Sequence, residues 1–384
     1  MSTSPVPARQ RPPTGATLRT LLAAITRDFC AWPGSRARVI DDVASLAAVM
    51  LAVAASRLLA IDNVGWAAFS AYMVIRTSFA ESLARGSLRI AGTVAGVALA
   101  CLLAPHLMGS TALLSAALAL SGALTLYRAL MDRHGYGWLI AGLSFAMVLV
   151  DAMQHADRAV SDFALARIAE VAVGSIAAVL VSAAASLALA GRWRPVAPAA
   201  PVTPAAPVSP VAPAPLPPGS RQVALRHALQ GAIALGLIPW VWSSLHWKAL
   251  SQSSITIMVV LIVPLADLAA PAVATSARLR QRLLGCCIGG VLATAVLLTS
   301  HASPLAMTLA AGIGVVVGRH LENGAHRMNY AGTQLALAFL VVLIPDGAAG
   351  PGIMPGIERL SGIVLGMALL EPVRRWFNWL DRRT

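Results

Sequence analysis

Apolar residues run through this chain in blocks near the roughly twenty residues a helix needs to cross a bilayer. Polar residues gather in the short gaps between them. The pattern predicts six spans near residues 42–61, 64–83, 88–105, 110–127, 135–152 and 163–190, the last of them overlong. Six more follow near 223–243, 248–265, 281–299, 303–319, 328–345 and 356–376. Ahead of the first span, Leu18, Leu21, Leu22, Ile25 and Phe29 keep helical spacing, with Arg19 and Arg27 among the polar positions. That is the signature of an amphipathic helix lying in the membrane interface. Arginines interrupt its apolar run, so it does not read as a secretion signal.

Between the two sets, residues 195–218 hold ten prolines in 24 positions and no charge. Such a stretch cannot continue a helix and extends as polyproline II, on the order of 70 Å long. The chain therefore divides into a tail with an interfacial helix (1–40), a first six-helix unit (41–190), a linker (191–220), a second six-helix unit (221–376) and a short tail (377–384).

Composition sharpens the class. Charged residues are 12% of the chain and hydrophobic ones 58%, against roughly 25% and 45–50% in soluble domains. The expected fold is an all-α membrane protein of about twelve transmembrane helices. A net charge of +13 would suggest nucleic acid in a soluble chain, but here the arginines sit at span ends and no nucleic-acid partner is expected. With the N-terminus placed in the cytoplasm, 24 arginines and lysines fall inside and five outside. The positive-inside rule then puts both termini in the cytoplasm.

The two sets also resemble each other. RIAGTVAG at 89–96 returns as RLLGCCIG at 282–289, an arginine followed by Gly92 and Gly96 or by Gly285 and Gly289. Tyr136 answers to Tyr330, and RIAEVAVG (167–174) to RLSGIVLG (359–366), which carries Gly362 and Gly366. Trp66 pairs with Trp247 at a shorter offset. Glycines four apart on one helix face suit close helix packing. An even number of spans per unit implies a parallel repeat, with a pseudo-twofold axis along the membrane normal.

Trp66, the polar-speckled span behind it and GTVAG after Arg89, with the similar stretch from Trp247 to Arg282 and Gly289, resemble the fusaric acid resistance (aromatic acid exporter) family. The resemblance covers most of residues 36–376 and extends distantly to plant aluminium-activated malate transporters. It implies a multi-pass protein of the bacterial inner membrane that exports aromatic carboxylic acids. Many exporters of that family carry sizeable cytoplasmic domains where this chain has a proline-rich linker.

Enzyme chemistry finds little purchase. A nucleotide-binding loop needs Gly-Lys-Ser/Thr, and the single lysine is Lys248, in His246-Trp247-Lys248. Gly312, Gly314 and Gly318 fall within an apolar span. His320, Glu322 and His326 read as a solvated loop, not a metal site, and Asp151, His155, Asp157 and Asp162 as an acidic loop. The cysteines lack metal spacing. No catalytic residue, metal or cofactor is expected.

Transport remains. Arg89 and Arg282 approach from the cytoplasmic side, and Arg167 and Arg359 enter their spans from the other, so each is a candidate for holding an anion or anchoring a helix end. Guanidinium suits the first role because it forks onto a carboxylate and stays charged. Arg76, ten residues beyond Trp66, reads either as lying well inside the bilayer to hold a substrate carboxylate or as a cytoplasmic-edge anchor, with Glu81 an indifferent partner and Ile257 in the matching position. Ser251 and Gln252, with Ser253, Ser254 and Thr256, mark a span that either faces a pathway or hydrogen-bonds to neighbouring helices. Tyr136, Tyr330, Trp66 and Trp247 fit either an aromatic belt or stacking with substrate. Asp151 and Asp346 are candidate proton relays. The sequence points to an exporter of small organic anions driven by the proton gradient. Its alternatives are a passive anion channel or a structural component working with a periplasmic adaptor. Lipid is the expected surround, and a homo-oligomer stays open.

Overall fold

The computed structural model describes residues 23, 26–27, 36–190, 219–262, 271–324, 328–344, 352–381 and 383. Most of the predicted interfacial helix and the proline-rich linker lie outside them. Among the described residues every regular element is a helix. The first half comprises α1 (Arg36–Leu58), α2 (Val64–Val74), α3 (Phe79–Leu107), α4 (Thr111–Met131), α5 (Gly135–Gln154) and α6 (Val160–Ala190). The second comprises α7 (Ser220–Gly236), α8 (Ile238–Leu245), α9 (Leu250–Leu261), α10 (Pro271–Thr299), α11 (Pro304–Glu322), α12 (Asn329–Leu343) and α13 (Met354–Asp381). Pro239, early in α8, breaks a rod that would otherwise run from α7.

Among the described residues eight helices, counting α7 with α8, are long and apolar enough to cross a membrane. Three predicted spans are shorter than expected. α2, α9 and α12 have 11, 12 and 15 residues, so at 1.5 Å per residue they reach only about 17–23 Å against a core of about 30 Å. The predicted span 64–83 in fact crosses a break. Ile75 is extended (φ −55°, ψ 133°), and the Ser78 hydroxyl accepts the Glu81 amide at 3.1 Å, capping the start of α3. α9 likewise ends on Ile262 in an extended conformation. Guanidiniums meet both ends: Arg76 Nη1 donates to the Ile75 carbonyl at 2.6 Å, and Arg278 Nη1 donates to that of Ile262. Arg76 thus sits in the turn between α2 and α3, not deep in a span, and Glu81 lies in the first turn of α3, where its amide donates to the Ser78 cap.

Glycines let the helices cross closely. A Cβ on Gly96 would lie 2.1 Å from the Ala141 carbonyl oxygen, and one on Gly92 would lie 2.5 Å from that of Gly137, both on α5. Gly285 and Gly289 of α10 lie against Ala331 and Leu335 of α12, and Gly362 and Gly366 of α13 against Ala249 and Ser253 at the start of α9. Across the two halves, α4 packs on α7 and α11 on α1, while α5 meets α9 and α2 meets α12. Two apolar cores result, one joining α1, α2, α11 and α12, the other α4, α5, α7 and α9.

The contact of α1 and α2 with α11 also carries a buried polar network. Arg319 donates to Ser45 Oγ and the Tyr72 carbonyl, each at 2.7 Å. It pairs with Glu322 at 3.3 Å and Asp41 at 3.7 Å, and its guanidinium lies 4.4 Å over the Tyr72 ring. His320 is fully buried, 3.4 Å from Asp42. His320 and Glu322 are therefore parts of an inter-helix network and not a solvated loop, because α1 packs over the end of α11. His326 lies outside the described residues, among which no three His, Cys, Asp or Glu side chains are grouped to hold a metal. The Tyr72 hydroxyl donates to Glu322 at 2.9 Å. Tyr72→Phe should cost about 1 kcal/mol of stability, seen as a small fall in the melting temperature of the detergent-solubilised protein.

Candidate anion site

The site is built from arginines on long helices reaching across to short ones. Arg85 and Arg89 stand one turn apart on α3. Arg89 Nη1 donates to the Tyr136 hydroxyl at 2.8 Å, and its Nη2 to Ser70 Oγ on α2 at 3.2 Å. The Arg85 guanidinium covers the Tyr136 ring at 4.8 Å. On α10 the arrangement recurs. Arg282 donates to the Tyr330 hydroxyl at 3.1 Å and to Thr256 Oγ1 on α9 at 3.2 Å, with Arg278 over the Tyr330 ring at 4.8 Å.

Two further arginines come from α6 and α13. Arg359 Nη2 donates to Gln334 Oε1 at 3.3 Å, and Arg282 Nη1 donates to the same oxygen at 3.1 Å. The Cys286 thiol approaches it too, at 3.6 Å. Two guanidiniums thus share one neutral amide oxygen. Arg167 instead has a carboxylate, Glu170 Oε2, at 3.2 Å, and its guanidinium lies 4.3 Å over the Trp66 ring. Asn63 donates to the other oxygen of Glu170 at 2.5 Å. Trp66 packs against Phe69 at 5.2 Å. Phe69 joins the two halves, since Arg89 lies 5.8 Å and Arg359 5.9 Å from its ring.

All four arginines are buried: Arg89 is 3% exposed, Arg167 7%, Arg282 2% and Arg359 3%. Arg167 has Glu170, but Arg89, Arg282 and Arg359 have no ion-pair partner among the described residues. Nor do Nε of Arg89, Arg167 and Arg359 and Nη2 of Arg282 find an acceptor there. A buried guanidinium without a counter-charge costs several kcal/mol, and the aromatic faces return only about 2 kcal/mol each. A carboxylate would relieve that cost, accepting two parallel N–H bonds from one fork.

Arg89 and Arg359 meet at Phe69, Arg282 and Arg359 at Gln334, and Arg167 lies within the reach of Arg89, with Trp66, Tyr136 and Tyr330 beside them. Gln252 lies close by on α9, its Oε1 buried without a partner among the described residues. Ser251 uses its carbonyl to accept the Ser254 hydroxyl. Trp247 is 43% exposed in the turn before α9, where its carbonyl accepts from Gln154. It is not the counterpart of Trp66. Arg89 reaches Ser70 as Arg282 reaches Thr256, which aligns Trp66 with Gln252, and Arg76 with Ile262 rather than Ile257. Asp151 pairs with His155 at 3.0 Å and stands 15 residues beyond Tyr136 on α5, about 22 Å along its axis. Asp346 lies outside the described residues.

Sequence reasoning passed over Arg85, Arg278, Phe69, Gln334 and Glu170. The first two were visible as a second arginine one turn ahead of each duplicated motif. Glu170 was visible as a lone carboxylate in an apolar span, a feature that marks function in membranes.

Residues 44–196, which run from α1 through α6, match the model of the fusaric acid resistance protein family (FUSC). This segment is similar to that family. The FUSC segment contributes Trp66, Phe69, Ser70, Arg89, Tyr136, Arg167 and Glu170 to the site. The match and the apolar helices indicate a multi-pass integral membrane protein. No curated protein and no solved structure matches it.

Proposed function

We propose that this chain exports small organic anions, aromatic carboxylic acids first among them, across a bacterial inner membrane. The observation that carries the reading is the set of three buried arginines, Arg89, Arg282 and Arg359, without a carboxylate among the described residues to neutralise them. An incoming carboxylate trades its water for their fixed N–H donors, and its ring lies along Trp66 and Phe69. The recurring order of long and short helices supports two six-helix units about a pseudo-twofold axis along the membrane normal. The arginine count supports cytoplasmic termini.

The test is direct. Purified chain in liposomes loaded with labelled benzoate should release it faster than protein-free liposomes, and no benzoate flux under any gradient would overturn the proposal. A passive channel is the second reading, favoured by the distance of Asp151 from the arginines. It predicts anion current with no proton gradient imposed, whereas a coupled exporter responds to that gradient.

A further inference from the structure

Glu170 breaks the likeness between the two halves of the site. Gly174 of α6 lies against Ala67 and Ser70, and Gly366 of α13 lies against Ser253 and Thr256. Ala67 to Ser253 and Ser70 to Thr256 are each 186 residues, and Gly174 to Gly366 is 192. By that register Asn63 answers to Ala249 and Glu170 to Gly362. The crossing is kept while its chemistry changes. A Cβ on Gly362 would come 2.5 Å from the Ala249 carbonyl oxygen, and at the same crossing in the first half Asn63 donates to Glu170. Arg167 consequently has a carboxylate beside it, while Arg359, its counterpart, donates to the neutral amide oxygen of Gln334 and has the Cys286 thiol beside it.

We propose that Glu170 is a tethered counter-anion filling the first half of the anion site, and that an organic carboxylate enters between Arg89 and Arg167 only as Glu170 takes up a proton. The inference rests on the anion-site reading above. The second half, at Arg282 and Arg359, has no such occupant among the described residues and takes its anion without a proton.

The physical argument is a competition. Glu170 is 2% exposed. Arg167 on its own helix pairs with it, and Arg89 on α3 acts in turn on Arg167. Asn63 and Trp66 face the pair from the start of α2. α1 and α5 bring apolar core residues to α6, Ala48, Ala52 and Leu149 among them. A substrate carboxylate that takes Arg167 leaves Glu170 buried and ionised beside a second anion. A buried carboxylate in that position neutralises rather than stay charged. The proton and the anion therefore bind together, and by linkage each tightens the other. The affinity of the first half rises as pH falls, by up to about tenfold per pH unit.

Benzoate, a carboxylate ionised above about pH 5.5, serves as the probe. The full chain in lipid nanodiscs is titrated calorimetrically, with an indicator dye counting protons. Wild type should bind benzoate in the second half alone at about pH 8, and at about pH 6 should bind a further benzoate with one proton. Glu170→Gln should fill both halves at either pH and take up no proton. The double variant Asn63→Ala, Glu170→Gly copies the Ala249–Gly362 crossing and should behave the same way. Equal pH dependence in wild type and either variant overturns the coupling. So does a wild type that takes up no proton, a measurement that needs no variant to fold. Absence of benzoate binding by wild type at any pH overturns the anion-site reading, and the coupling with it.

Discussion

Arg282→Gln should lower benzoate flux on the order of a hundredfold while leaving the protein as stable as before, or more so. Arg282 shares Gln334 Oε1 with Arg359 and donates to Thr256 and Tyr330, yet its charge is unmatched among the described residues. Losing one buried charged partner of an anion costs about 2–5 kcal/mol of binding, and each 1.4 kcal/mol is tenfold. A glutamine there still donates and accepts, but it no longer brings an uncompensated charge into the interior, which removes a several-kcal/mol burden. Activity and stability should thus move in opposite directions. Flux in liposomes and melting in detergent measure the two. Unchanged flux, or a protein that melts early, would mean that Arg282 serves the fold and not the anion.

Gly96→Val should abolish the folded protein, whereas Gly290→Val should pass almost unnoticed. At Gly96 a Cβ alone would lie 2.1 Å from the Ala141 carbonyl oxygen and 3.0 Å from the Phe145 amide nitrogen. Both atoms belong to backbone, so α3 and α5 would have to separate. That costs about 3 kcal/mol or more. Gly290 has nothing within 4 Å of its Cβ position, and substitutions at such sites stay within about 0.5 kcal/mol. Fluorescence-detected size exclusion distinguishes the pair. Equal yields of the two variants would overturn the close crossing of α3 and α5.

What the sequence reveals about this molecule depends on how local the cause is. The helical class and most span positions are legible because apolar length and the residues that break it are written along the chain. The breaks after Ile75 and Ile262 are legible only in part: Arg76-Thr77-Ser78 follows the first and Val263-Pro264 the second, yet apolar residues resume beyond both and make each look like one longer span. Arg89 and Arg282 stand out as a duplicated motif. Their convergence with Arg167 and Arg359 does not, because positions along the chain fix depth only roughly and say nothing of which way a long side chain bends. Trp247 misleads for a related reason: matching tryptophans outweigh a register that only the helix crossings at Gly174 and Gly366 reveal. Gln334 is the least legible of all, a single amide whose importance comes wholly from the two guanidiniums brought to it.

The guanidiniums that close the short helices have a consequence for how the protein meets acid. Arg76 on the Ile75 carbonyl, Arg278 on that of Ile262 and Arg319 on that of Tyr72 fasten the ends and contacts of α2 and α9 with groups that keep their proton throughout the physiological range. Acidification that reaches Glu170 leaves these fastenings unaltered. Acid can therefore act on the anion site without loosening the turns that end the short helices carrying it.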